Sequence, residues 1–321
     1  MALPLLRIGT RGSPLALAQA AELRQRLADA HGELAAPGAI ETIIIRTSGD
    51  RQTGRPISEE GGKGLFTKEI EEALLAGSID LAVHSMKDMP AELPEGLDIA
   101  CLLPRADPRD ALIAAGSAAG LKDLPRQAAL GTSSLRRQAQ ALLVRGDLRI
   151  APLRGNVGTR LAKVKEGGVG ATILAVAGLT RLGLTGAITA ILDPEEMLPA
   201  PAQGAIGIEI RDSDDKARRY LAPVNDGSTA SCVNAERAAL TALGGDCHTP
   251  FGAYATLKNG TLTLRALVIK PDGTGRIAVQ REGAASDAAE MGADAGAELI
   301  VRAGAEFLAG LPGKAPGKDD R

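Results

Sequence analysis

The stretch that decides the fold is Leu5–Ala30, LLRIGTRGSPLALAQAAELRQRLADA. LLRIG predicts a strand. Ser13 then offers an N-cap, and Pro14 takes the first helical turn, where its missing N–H costs nothing. The apolar positions of LALAQAAELRQRLADA recur with helical spacing, so the stretch reads as one strand–helix unit.

The same alternation continues outward. AIETIIIRT (39–47) is a β-branched strand, and TKEIEEALLAG (67–77) is a helix with a Thr cap and early acids. IDLAVHS (79–85) is a strand that runs into MKDMP (86–90). After DIACLLPRADPRD the pattern restarts, with strands at DALIAA (110–115), AALGTS (128–133), LRIAPL (148–153) and ATILAV (171–176). Helices fall between them at SLRRQAQALLV (134–144) and NVGTRLAKVKEG (156–167). Two such runs predict two doubly wound α/β domains flanking a cleft. Proline-rich stretches at 104–108 and 194–201 mark the crossings, and AIGIEI (205–210) is a strand able to return to the first sheet.

The last third differs. STASCVNAERAALTALGG (228–245) reads as a helix, and GAYATLKNGTLTLRALVI (252–269) carries Asn259–Gly260 between alternating strands, a strong hairpin signal. GRIAVQ adds a third antiparallel strand, and an Ala-rich helix covers about 285–310. The expected domains are 1–104 with 199–218, then 105–198, then a smaller α+β domain at 219–311, with 312–321 as a disordered tail.

Composition narrows the function. The 321 residues carry 37 basic and 39 acidic side chains and only 2% aromatics, without Trp, which leaves too few rings to stack nucleic-acid bases. Cys101, Cys232 and Cys247 show no CxxC spacing, so neither a disulfide framework nor a metal site is expected. MALPLLRIGT lacks the form of a secretory signal, and no apolar run reaches the roughly 20 residues that span a bilayer. The expected location is the cytoplasm, away from membranes.

Basic residues gather where strands end: Arg11, Lys63, Lys87, Arg136, Arg137, Arg154 and Arg160. Ligands of open α/β sheets bind beyond those carboxyl ends. In GTSSLRR (131–137) hydroxyls cap a helix and two arginines follow in its first turn, a set of donors able to converge on an anion. Any one of these arginines reads equally well as solvated surface; together they point to carboxylates or phosphates. Phosphate is disfavoured, because GGKGLF (61–66) has Ile57 where a phosphate loop needs glycine.

Asp88 and Lys87 follow the strand 79–85, where a carboxylate can stabilise a cation and shuttle a proton. An isolated Lys–Asp dipeptide is more often a solvated pair on a turn, and His84 reads as a hydrogen-bonded core histidine. Cys247 lies in GGDCHTPFG (244–252), a loop that exposes a thiol, whereas Cys101 and Cys232 read as core. Local chemistry by itself favours an inert loop cysteine.

Taken together, RIGTRGSPLALAQ (7–19), GGKGLFTKEIE (61–71), AVHSMKDMP (82–90), GTSSLRRQ (131–138), LRGNVGTRL (153–161), LAVAGLTRL (174–182), QGAIGIE (203–209), NAERA (234–238) and LGGDCHTPFGAYA (243–255) resemble the porphobilinogen deaminase family, in order and over about 250 residues. The resemblance implies a periplasmic-binding-protein-like pair of domains plus the smaller α+β domain. It implies a dipyrromethane cofactor held by a thioether at Cys247, with Asp88 as the catalytic acid–base carboxylate. Arg11, Ser13, Lys87, Ser134, Arg136, Arg137, Arg154, Arg160, Arg181 and Gln203 match cofactor- or substrate-binding positions, and Lys63 and Phe66 a mobile loop. The implied reaction joins four porphobilinogen molecules with loss of ammonia and then hydrolyses off the linear tetrapyrrole hydroxymethylbilane. A carboxylate-rich chain of this kind calls for arginine forks rather than lysine point charges. The resemblance also implies a monomer.

Two positions depart from the family. It usually reads Gly-Gln-Gly at 202–204, where this chain has Pro201–Ala202–Gln203–Gly204, a change that stiffens the crossing. Asp246 replaces the usual glycine before Cys247, and a carboxylate close to a thiol raises its pKa. The alternative from another class is a two-domain protein that only binds a small anion; the third domain and the missing export signal speak against it.

Overall fold

The computed structural model describes residues 4–51, 66–246 and 249–312. The chain begins with β1 (Leu6–Thr10), α1 (Pro14–Ala30), β2 (Ile40–Ile44), the short α2 (Ser48–Arg51), α3 (Lys68–Leu75), β3 (Leu81–Ser85) and β4 (Leu97–Leu102). It continues with β5 (Asp110–Ala114), β6 (Ala129–Gly131), α4 (Leu135–Val144), β7 (Arg149–Ala151), α5 (Val157–Lys165), β8 (Ala171–Ala175), α6 (Val176–Arg181) and β9 (Ala190–Ile191). It ends with β10 (Ile206–Arg211), α7 (Asp215–Leu221), α8 (Gly227–Leu243), β11 (Phe251–Lys258), β12 (Thr261–Ile269), β13 (Arg276–Ala284) and α9 (Ala288–Ala309). Two compact units result: residues 1–106 with 205–230, and residues 107–204 with 231–321.

The first unit holds a five-stranded sheet in the order β2-β1-β3-β10-β4. β1 runs parallel to β2 and β3, whereas β10 lies antiparallel between β3 and β4. Both faces are covered, as the apolar strands require. Ala20, Leu23 and Leu27 of α1 pack with Leu6, Ile8, Val83 and Ile208 on one face. Ile70 and Leu74 of α3 pack with Ile79 and Ala82 on the other. Each such leucine, fully buried, contributes roughly 1.5–3 kcal/mol. The Ser13 side chain accepts from Ala16 N at 3.3 Å, so the predicted cap forms.

The second unit repeats the scheme with the order β7-β6-β8-β5-β9, where β6 is parallel to both neighbours and β5 antiparallel to both of its own. One face buries Leu112, Leu130, Ala141 and Ile173, and the other Ile113, Leu153, Val164 and Leu174. The same unit carries the antiparallel sheet β11-β12-β13. Its first turn is the predicted one: Asn259 (φ 52°) and Gly260 (φ 81°) join Lys258 to its partner Thr261. α8 and α9 cover this sheet through Cys232, Ala235, Ala239, Met291, Ala295 and Leu299. The helices touch at glycines: a Cβ at Gly292 would lie 2.2 Å from Ala235 O, and one at Gly296 2.6 Å from Ala239 O.

Local reading misses α6 and α7. α6 starts directly where β8 ends, and its first residue, Val176, was read as strand. α9 is also interrupted at Gly304, whose φ of 69° and ψ of 167° are not helical. Among the described residues no helix is long and apolar enough to cross a membrane.

Candidate active site

In the first unit a pocket opens at the carboxyl end of β3. Arg11, Ser13, Gln19, Phe66, His84, Ser85 and Asp88 line it together with Thr67, Val83 and Met89. Asp88 ends a single turn of 3₁₀ helix, Met86–Asp88, and is exposed. That turn rests on β10. A Cβ at Gly207 would stand 2.0 Å from Met86 Sδ, so glycine there lets the turn sit down on the sheet, and Met86 N donates to Ala205 O at 3.1 Å. Gln19 and Ser85 tie α1 to the end of β3, with Gln19 Nε2 donating to Ser85 Oγ at 2.8 Å. The Arg11 guanidinium lies 4.2 Å above the centre of the Phe66 ring. Lys87 is half-buried beside Asp88. Lys63 lies outside the described residues.

Behind the pocket wall lies a buried acid cluster. His84 Nε2 is 3.0 Å from Glu209 Oε2, and Glu209 is wholly buried on β10. Glu209 Oε1 and Glu71 Oε1 are buried without a hydrogen-bond partner among the described residues. Burial holds the Glu71 carboxyl above its ordinary value, and the neighbouring Glu209 acts in the same direction. His84 is thus a hydrogen-bonded core histidine, as its sequence context predicts.

The second unit brings together Arg136, Arg137, Gln203 and Arg181. Ser134 caps α4, accepting from Arg137 N at 3.4 Å. Both arginines are 5% exposed, so the first turn of α4 points into the protein rather than to solvent. What they meet is Asp110, on β5. Arg136 Nη1 donates to Asp110 Oδ2 at 2.8 Å, and Arg137 Nη2 donates to Oδ1 at 2.7 Å. Burial pushes the Asp110 carboxyl up, but the two guanidinium charges more than offset it and hold it well below the usual carboxylate range. Gln203 Nε2 donates to Pro108 O at 2.7 Å, and Arg181 Nη2 to Gly204 O at 3.0 Å. Two guanidiniums around one carboxylate leave a surplus of one positive charge, nearly excluded from water. The Nη1 group of Arg137 makes no hydrogen bond among the described residues.

Arg154 is exposed, and Arg160 folds back onto the turn after it, with Nε donating to Gly155 O at 2.9 Å. Cys247 lies outside the described residues, while Cys101 and Cys232 are buried and burial pushes the Cys101 thiol up to about 12. Among the described residues no group of three or more His, Cys, Asp or Glu can hold a metal. The departure at Ala202 acquires a physical meaning: its φ is 58°, where glycine is favoured, and its N–H donates to the buried Glu236 Oε2 at 2.6 Å. Glu236 Oε1 also accepts from Ala255 N at 2.7 Å. Sequence reading did not find Asp110, Glu209 or Glu236. Each is the one acid of its strand or helix, and nothing local signals its partner.

A strand-end carboxylate in one doubly wound unit and a surplus of buried positive charge in the other define the class: an α/β protein that handles a carboxylate-bearing ligand. Comparison supplies the family. Residues 6–219 match the family model for the porphobilinogen deaminase dipyromethane cofactor binding domain, and residues 230–301 match that for the porphobilinogen deaminase C-terminal domain. The chain is 52% identical over 303 residues to porphobilinogen deaminase of Paracoccus denitrificans, covering 94% of this chain and 96% of that protein. It is 52% identical over 308 residues to the chloroplastic porphobilinogen deaminase of Pisum sativum, covering 95% and 83%. Among solved structures, a TRAP periplasmic solute binding protein from Desulfovibrio salexigens aligns with a TM-score of 0.41 at 10% identity, over 68% of this chain and 72% of that one. The aliphatic sulphonate binding protein SsuA of Escherichia coli aligns with a TM-score of 0.39 at 18% identity, over 74% and 69%. The chain belongs to the porphobilinogen deaminase family. It is a transferase with a dipyrromethane cofactor, and its reaction condenses four porphobilinogen molecules head to tail and releases hydroxymethylbilane.

Proposed function

We propose that this reaction is carried by Asp88 as acid–base carboxylate, by Cys247 as the thioether anchor, and by an arginine set that grips carboxylates. Arg136, Arg137, Arg154, Arg160 and Arg181, with Ser134 and Gln203, would hold the acidic side chains of cofactor and substrate. Arg11, Ser13 and Lys87 would do so around Asp88. The observation that carries the reading is the surplus positive charge of the Asp110–Arg136–Arg137 cluster, together with the uncommitted Nη1 of Arg137. A buried charge without a counterion is costly, and the acetate and propionate groups of a dipyrromethane fit that need. When bound, the dipyrromethane would supply the free pyrrole α-carbon to which the first substrate is joined, each later one joining the end of the growing chain.

Asp88 then has two tasks. Its carboxylate stabilises the positive charge that develops on the substrate as the aminomethyl C–N bond breaks and ammonia leaves. It also takes up the proton lost when the new C–C bond has formed and the ring regains its aromaticity. Phe66, under the Arg11 guanidinium, would line the pocket in which these steps run. We assign domain boundaries at 1–104 with 199–218, at 105–198 and at 219–311, and a monomer in the cytoplasm.

Intact-mass measurement tests the anchor. The freshly prepared active protein should carry an adduct of dipyrromethane size that peptide digestion maps to Cys247. An unmodified Cys247 thiol in active protein would remove the cysteine from this role.

A further inference from the structure

Asp110 is the one member of the buried arginine cluster to which the family reaction gives no task. It opens β5 and is wholly buried. Its oxygens receive four N–H donors: Oδ2 from Arg136 Nη1 at 2.8 Å, and Oδ1 from Arg137 Nη2 at 2.7 Å, Arg137 Nε at 3.2 Å and Gln203 Nε2 at 3.0 Å. Four donors match a carboxylate's acceptor sites in number, here three on Oδ1 and one on Oδ2. The arginines are not saturated. Arg137 commits its Nε–Nη2 edge and keeps Nη1. Arg136 divides Nη1 between Asp110 and Leu198 O at 2.7 Å, and its Nη2 reaches Gln203 Oε1 only at 3.5 Å.

This arrangement restricts rotation. Turning either guanidinium would strip a donor from a fully buried carboxylate, among the costlier single losses inside a protein. The carboxylate therefore sets which edge of each fork is spent inside the protein and which is left over. It also holds the charge of the cluster at +1, where two bare guanidiniums would carry +2 and repel each other.

We infer that Asp110 is the positioning residue for the Arg136–Arg137 pair. It orients both forks before any ligand arrives and so makes their free donors ready for ligand carboxylates. This rests on the proposal that the two arginines grip cofactor and substrate. A pair of forks ordered in advance spares the ordering cost that binding would otherwise carry. It helps ground state and transition state alike, so its loss appears in KM more than in kcat.

The test uses the full chain with Asp110→Asn, which removes the charge at nearly constant shape, and Asp110→Glu, which keeps the charge but moves it by one methylene. Three quantities are measured for each: the fraction of protein carrying the dipyrromethane adduct by intact mass, kcat and KM of the loaded fraction, and the melting temperature. In both variants adduct occupancy should fall, and kcat/KM of the loaded fraction should drop on the order of 100-fold, chiefly through KM. Asp110→Asn added to the double variant Arg136→Gln/Arg137→Gln should lose no more than that double variant alone, since a positioning residue then has nothing left to position. A lower melting temperature with wild-type KM and occupancy would assign Asp110 a purely structural role and overturn the inference. Should Asp110→Asn fail to fold, Asp110→Glu decides, and a wild-type KM there overturns it equally. Arg136→Gln/Arg137→Gln with wild-type KM and occupancy is a different failure: it removes the arginine grip itself, and with it anything for Asp110 to position.

Discussion

The two doubly wound units bury opposite kinds of charge. In the first, Glu209 and Glu71 each keep a buried oxygen without a hydrogen-bond partner among the described residues, and His84 is the one cation-forming side chain paired with them. In the second, the acid of the arginine cluster, Asp110, is held by two arginines and a glutamine, while the buried Glu236 accepts from two backbone N–H groups. Similar sheet topologies therefore serve two electrostatic purposes. The buried acids of the first lie behind the pocket that Asp88 and His84 line. Excess guanidinium suits the side that must hold anions without exchanging protons, because arginine does not titrate in the working range.

The largest effect that sharpens this contrast belongs to Asp88. Asp88→Asn should lower turnover by about 10²- to 10⁴-fold with melting and adduct mass unchanged, because the side chain is exposed and carries no packing. Steady-state kinetics beside a thermal melt checks it, and near-normal turnover would break the assignment of proton chemistry to the first unit.

Stability of the second unit follows charge arithmetic. Asp110→Asn leaves two buried guanidiniums and should cost about 3–5 kcal/mol. Arg137→Gln leaves a neutral Asp110–Arg136 pair and should cost less. Urea denaturation of both variants orders them; the reverse order would break the reading of a positive surplus.

The two clusters should also respond to pH with opposite sign. Asp110 has a depressed pKa in the folded protein, so its stabilisation is present above the unfolded value of about 3.9 and is lost as pH falls through its folded value. Glu71 has a raised pKa, so its favourable contribution is complete below the unfolded value of about 4.3 and is lost as pH rises through the raised folded value. Glu71→Gln should therefore stabilise the protein at pH 7 by about 1 kcal/mol, since it removes a buried charge and adds an N–H donor, and the gain should vanish in acid. Denaturation midpoints at both pH values measure it.

The smallest expected effect is at Ala202. Relief of its φ of 58° is worth about 1–2 kcal/mol, and the extra freedom of glycine in the unfolded chain returns about 0.4–1 kcal/mol of that. Ala202→Gly should thus raise stability by between zero and about 1.6 kcal/mol, with a midpoint of about 0.8 kcal/mol; a clear loss would show that Ala202 makes a packing contact worth more than the strain.

What was legible in the sequence was whatever depends on near neighbours. The Ser13–Pro14 helix start, the Asn259–Gly260 turn and the alternation of strands and helices each rest on local backbone preferences, so the two sheets and the antiparallel domain could be read directly. The basic residues could be named as a set because they fall where strands end. Their state could not. Arg136 and Arg137 read as first-turn donors for a ligand anion, yet they are buried on an acid of the protein itself, 26 and 27 residues away. His84 finds Glu209 at a separation of 125 residues, across a strand that returns antiparallel.

By itself, then, the sequence determined most of the elements, the family and the identity of Asp88 and Cys247 as the residues to test. Only the tertiary structure decided which charges are buried, which are paired and which are left in surplus. The physical reason is that periodicity and turn chemistry act within a few residues, whereas the cost of a buried charge depends on whatever the sheet order brings beside it.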